Sequence, residues 1–194
     1  EIFKYHISIK SSQIYLLISP SNIDKSLFNK RAIGSFIYNL SIKYSISSLT
    51  LNNFDKQLLS EIVLGFRQKD FIYSVYKKGS KQVNFKSNFK LSNKYKNILN
   101  SINYLKELVS EPSNVIFPKS FSDRVLRNFN KTNLGIKILD EKKISKIGLN
   151  CLLAVSQGSA RKPRVIEFYK KKSPKNVDVL FVGKGVCFDT GGIS

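Results

Sequence analysis

Val177-Asp-Val-Leu-Phe-Val-Gly-Lys-Gly-Val-Cys-Phe-Asp-Thr-Gly-Gly-Ile-Ser194 is the stretch whose reading decides the fold. Val177 to Val182 is apolar and β-branched with one interruption at Asp178. That pattern predicts a strand buried on both faces of a parallel sheet. Open α/β sheets place their chemistry just past the carboxyl ends of such strands. Lys184 falls there between Gly183 and Gly185, and Asp189 follows with Gly191 and Gly192 behind it. Glycines allow positive φ and a close approach of backbone to a bound ion, so these four are expected to shape the loop. A phosphate-binding loop is excluded: it needs glycine where Asp178 stands, and Ser or Thr where Gly185 follows the lysine. From spacing alone, a tight turn carrying two surface residues accounts for Lys184 and Asp189 as well as a ligand pair does, because two residues do not define a metal site.

The wording of the segment says more. Val182 to Ser194 closely resembles the signature of the leucyl (cytosol) aminopeptidase family, the two-metal exopeptidases. Three further segments are similar to that family. Ile147-Gly-Leu-Asn-Cys-Leu-Leu-Ala-Val-Ser-Gln-Gly-Ser159 matches its helix running up to Gln-Gly-Ser. Pro163-Arg-Val-Ile-Glu-Phe-Tyr169 matches the strand that comes after it, and Glu107 to Pro118 the opening of the catalytic domain. The likeness is dense from Ile102 to Ser194 and diffuse before it, where only Leu64 to Lys77 is similar.

By position, the resemblance implies that Lys184 and Asp189 are metal ligands for two divalent ions, manganese or zinc. A lysine ligates only as the neutral amine, so metal and local field must displace its proton. A carboxylate such as Asp189 is an ordinary hard ligand. Cys187 stands where relatives carry another small residue and is taken as packing. The remaining ligands of the family pattern, two aspartates and a glutamate, and its catalytic lysine and arginine are expected beyond Ser194. No catalytic residue is therefore expected within the chain, which begins at Glu1 and is expected to be a fragment without a complete site.

Composition bounds the alternatives. The net charge of +20, from 33 Lys and Arg against 13 Asp and Glu, raises nucleic acid as a partner. The cations are scattered, mostly Lys, and accompanied by no helix-turn-helix, zinc-finger or RNA-binding aromatic signature. A solvated lysine-biased surface explains them better. Cys151 and Cys187 cannot build a disulfide framework, which fits a reducing cytoplasm. No apolar run approaches the roughly 18 residues of a membrane span. His6 is the only histidine, so neither a histidine-based zinc site nor a Ser-His-Asp triad can be assembled.

The fold expected is α/β. Residues 1–100 form a small amino-terminal α/β domain, 101–117 a connecting helix and loop, and 118–194 the first part of a metallopeptidase catalytic domain with a doubly wound mixed sheet, truncated. Within the first part, Gln13 to Ile18 and Phe71 to Tyr76 read as strands, Phe54 to Leu64 as a helix, and Lys78 to Asn97 as a loop or poorly buried hairpin. Ile102, Leu105, Leu108 and Val109 make one apolar face of the connecting helix. Pro118 leads a helix to Phe129 with Phe121, Val125, Leu126 and Phe129 inward. Ile136 to Leu139 is a strand. Asp140 caps a helix that continues to Val155 and ends at Gly158. Val165 to Tyr169 and Val177 to Val182 complete a strand–helix–strand series with right-handed crossovers.

The resemblance implies a cytoplasmic hexameric aminopeptidase that removes leucine and other apolar residues from peptide amino termini. Two other readings stand beside it: a basic nucleic-acid-binding protein, and an inactive remnant of the peptidase.

Overall fold

The computed structural model describes residues 4–10, 13–19, 26–46, 48–52, 54–76, 86–87, 89–130, 132–170 and 177–187. The chain divides into two compact units, residues 1–110 and 111–194. Both are mixed α/β, as expected from the sequence.

The first unit opens with a hairpin of β1 (Tyr5–Lys10) and β2 (Gln13–Ile18), antiparallel from Tyr5 opposite Ile18 to Lys10 opposite Gln13. Burial alternates along β2, with Ile14, Leu16 and Ile18 turned inward and Gln13, Tyr15 and Leu17 outward. His6 lies exposed on β1. Helix α1 (Leu27–Lys43) begins where the Ser26 hydroxyl accepts the Asn29 N–H at 3.1 Å. Its periodicity is blurred because Leu27, Phe28 and Ile42 add exposed apolar residues to the buried face of Ile33 and Ile37, so sequence pattern alone misses it.

Strand β3 (Ser48–Leu49) precedes helix α2 (Lys56–Lys69), whose cap is Asp55, accepting the Gln57 and Leu58 N–H groups at 2.9 Å. The helix expected over 54–64 is thus present and longer. Ile33 and Ile37 of α1 and Ile62 and Phe66 of α2 form the core cluster, and Gly34 and Gly65 let the two backbones nearly touch.

Phe71 to Tyr76 is not a strand. The Tyr73 and Tyr76 rings meet edge to face with centroids 6.0 Å apart, which the opposite-facing side chains of residues three apart in an extended strand do not allow. The chain bends there instead. In the stretch expected to be loop or hairpin, β4 (Lys86–Ser87) pairs in parallel with β3, and α3 (Asn93–Ser110) begins nine residues before the expected helix face. Helix α3 docks on α2: the Tyr95 hydroxyl donates to Glu61 at 3.0 Å, and the Lys106 ammonium to the Gln68 carbonyl. The helix expected as a connection therefore packs inside the first unit.

In the second unit, α4 (Pro118–Phe129) spans the expected residues with proline at its first turn. The Phe117 N–H donates to Ser120 Oγ at 2.9 Å, and Arg124 pairs with Glu111 at 3.0 Å. Val125 is buried, whereas Leu126, expected inward, is exposed. β5 (Leu134–Leu139) and β6 (Val165–Lys170) are joined through α5 (Glu141–Lys146) and α6 (Asn150–Ser156). Asp140 caps α5 by accepting the Lys143 N–H at 3.0 Å. The expected continuous helix is broken at Gly148, where φ is 78°.

The right-handed crossover is also overturned: β6 runs antiparallel to β5, with Leu139 opposite Val165. A parallel return needs an element that travels back along the whole strand. Two short helices separated by the Gly148 break do not make that journey, so the chain re-enters the sheet at the end it left. Among the described residues no helix is long and apolar enough to cross a membrane.

Candidate functional site

The loop carrying Lys184 belongs to the second unit. Val177 to Val182 does not form the buried strand expected of it: no described strand pairs with it, and Phe181 and Val182 are 92% and 88% exposed. A strand exists by exchanging backbone hydrogen bonds with a neighbour, and among the described residues β5 and β6 pair only with each other. The apolar residues that read as doubly buried face solvent.

Two contacts shape the turn beyond Val182. The Val186 N–H donates to the Lys184 carbonyl at 3.2 Å, closing the turn tightly, and the Cys187 thiol lies 3.8 Å from the Gly185 carbonyl oxygen, which accepts from it. A Cβ built at Gly185 would sit 3.7 Å from the Phe121 ring of α4, an ordinary contact, so this glycine lies over that ring. The sequence marks Phe121 only as a core residue, and its place under the loop carries no local signal. A Cβ at Gly183 would meet nothing within 4 Å. Neither glycine has positive φ, Gly148 being the one described glycine that does. Lys184 is exposed. Asp189, Gly191 and Gly192 lie outside the described residues.

Burial pushes the Cys187 thiol up from its ordinary pKa, which favours the neutral thiol over the thiolate that binds metal. Cys151 is exposed on α6 despite its apolar neighbours. Near the start of α4, the Arg161 guanidinium lies 3.8 Å from the centre of the Phe117 ring, and its backbone N–H donates to Ser159 Oγ at 3.0 Å. This fixes the end of the Gln157-Gly158-Ser159 segment beside α4.

Among the described residues, no three His, Cys, Asp or Glu side chains converge as a metal would require. Lys184 offers one nitrogen, and it lies in solvent. The described residues by themselves do not fit a metal centre.

The profile of the cytosol aminopeptidase family, catalytic domain, matches residues 103–194. From residue 103 onward, the chain is similar to the catalytic domain of the cytosol aminopeptidase family. A probable cytosol aminopeptidase of Nitrobacter hamburgensis is 46% identical over 101 residues, 50% of this chain and 19% of the relative. The cytosol aminopeptidase of Encephalitozoon cuniculi aligns through both units, 28% identical over 192 residues, 95% of this chain and 40% of its own length. Among solved structures, a tomato leucine aminopeptidase mutant superposes with a TM-score of 0.62 at 12% identity, over 85% of this chain and 37% of its own. The bottromycin maturation enzyme BotP in complex with Mn superposes with a TM-score of 0.60 at 15% identity, over 85% and 38%. At such identities the superpositions speak for a shared fold. The chain spans between about a fifth and two fifths of the length of these curated cytosol aminopeptidases.

Proposed function

We propose that this chain is part of a metal-dependent aminopeptidase that releases amino-terminal residues, leucine and other apolar ones preferred, from peptides. In this reading Lys184 and Asp189 are ligands to two divalent ions, manganese or zinc, with further ligands and the catalytic groups supplied by residues outside this chain. Bound metal would supply Lewis-acid activation of water. Gly183, Gly185, Gly191 and Gly192 keep the loop backbone open to the site. The working protein is a hexamer in the cytoplasm.

The observation that carries the reading is the family match over 103–194, which includes the Gly183-Lys184-Gly185 turn. The exposed lysine and the open space over Gly183 agree with a loop that receives partners from elsewhere.

The test uses the complete protein purified from its source. Release of leucine from a leucyl peptide should require added manganese or zinc and stop on chelation. Lys184→Ala and Asp189→Ala should each lower turnover by at least about a hundredfold, beyond what outer residues around a metal contribute, and lower the bound metal measured by elemental analysis. Undiminished turnover and metal content in either variant would remove that residue from the site.

A further inference from the structure

Helices α1 and α2, strand β3 and the segment entering α3 enclose a cavity of about 200 Å³ within the first unit. Its interior is apolar, with Ile37, Ile62 and Phe66 all buried. Three cations line it as well, Arg67, Lys90 and Lys96, and among the described residues no acidic one does. Because both lysines are exposed while Ile37, Ile62 and Phe66 are buried, the cationic side is the mouth. Arg67 is engaged by Asp70 at 3.4 Å and contributes chiefly potential. Neither Lys90 nor Lys96 has an ion pair among the described residues.

The surrounding sequence reinforces the polarity. From Phe71 to Lys106 there are eight lysines and no Asp or Glu, so no carboxylate from this stretch neutralises the mouth. An apolar pocket with a few convergent charged groups at one end selects a ligand of the same division.

We propose that this cavity binds a medium-chain aliphatic carboxylate, its hydrocarbon tail inside against Ile37, Ile62 and Phe66 and its carboxylate at Lys90 and Lys96. The lack of a lining carboxylate among the described residues disfavours an ammonium ligand, free amino acids included. Single-stranded nucleic acid fits less well, because it stacks on accessible aromatic faces, whereas of the two lining aromatics Phe66 is only 3% exposed and Phe89 is half-buried. This site is separate from the Lys184 loop and does not depend on the peptidase reading.

Octanoate is the probe, titrated calorimetrically into the full chain. Saturable binding of one octanoate per chain is expected. Octan-1-ol, octylammonium and acetate each lack one of the required parts and should bind at least about tenfold more weakly, the scale of a charge-assisted contact or a buried tail. Lys90→Gln/Lys96→Gln, checked for unchanged circular dichroism, should weaken octanoate about tenfold and leave octan-1-ol unaffected. No saturable octanoate binding would overturn the proposal. So would equal binding of any of the three analogues, or full octanoate affinity in the double variant. Binding of oligothymidylate that the double variant loses, without any octanoate binding, would assign the lysines to nucleic acid instead.

Discussion

Replacing Gly65 by alanine should separate α1 from α2. A Cβ at Gly65 would fall 2.1 Å from the Arg31 carbonyl oxygen and 2.7 Å from the Arg31 carbonyl carbon and Cα. All three are backbone atoms, so no side-chain rotation relieves the clash. Gly34 faces the same constraint, with a Cβ 1.9 Å from the Ile62 oxygen and 2.5 Å from the Phe66 nitrogen. Accommodating the methyl group requires the helices to part by about 1 Å, enough to forfeit a quarter to a half of each dispersion contact between them. The contacts at stake include those among Ile33, Ile37, Ile62 and Phe66. Overpacking of this kind costs up to about 3 kcal/mol. Alanine recovers about 1 kcal/mol of helix propensity over glycine. The net loss of about 2 kcal/mol corresponds to roughly a thirtyfold fall in the protection of α1 and α2 amides. Native-state hydrogen exchange resolves those helices separately from the second unit. Unchanged protection, or the gain of about 1 kcal/mol expected for alanine in an uncrowded helix, would mean that the helices do not cross at these glycines.

Glu61 is 4% exposed and accepts from both Arg31 Nε at 2.7 Å and the Tyr95 hydroxyl. Glu61→Ala should cost about 2 kcal/mol, below the loss for a fully buried pair because the Arg31 side chain is one-third exposed; urea unfolding followed by tyrosine fluorescence measures it. The Lys143 backbone N–H holds the Asp140 carboxyl below its usual pKa. A depressed carboxylate contributes stability above its unfolded pKa, near 3.9, and loses it as pH falls through the folded value. Protection of α5 amides should therefore decline as pH drops below about 4, and Asp140→Asn should flatten that decline; an unaltered pH profile would refute the cap. Cys151 is exposed, while Cys187 is half-buried with its thiol pKa raised by burial. A disulfide reagent at mildly alkaline pH should thus modify Cys151 several-fold faster, on the order of its greater thiolate access. Equal rates by peptide mass spectrometry would contradict that ordering.

The sequence by itself determined what depends on neighbouring residues along the chain. Asp140 acts as a cap because a short side chain reaches an N–H three residues ahead. Pro118 starts α4 because its missing N–H has no partner to lose in the first turn. The wording around Lys184 identified the family for the same reason, since a loop signature is local in the chain. Tertiary structure decided whatever requires a second segment. Val165 to Lys170 reads as a strand in either direction, and only the short path through α5, Gly148 and α6 makes it antiparallel to β5. Gly34 and Gly65 look like weak points of their helices until each is seen against the other helix's backbone. Val177 to Val182 shows the limit most directly. Its apolar residues have the composition of a buried strand, but burial is a property of the contact and not of the residue, and no described strand lies beside it.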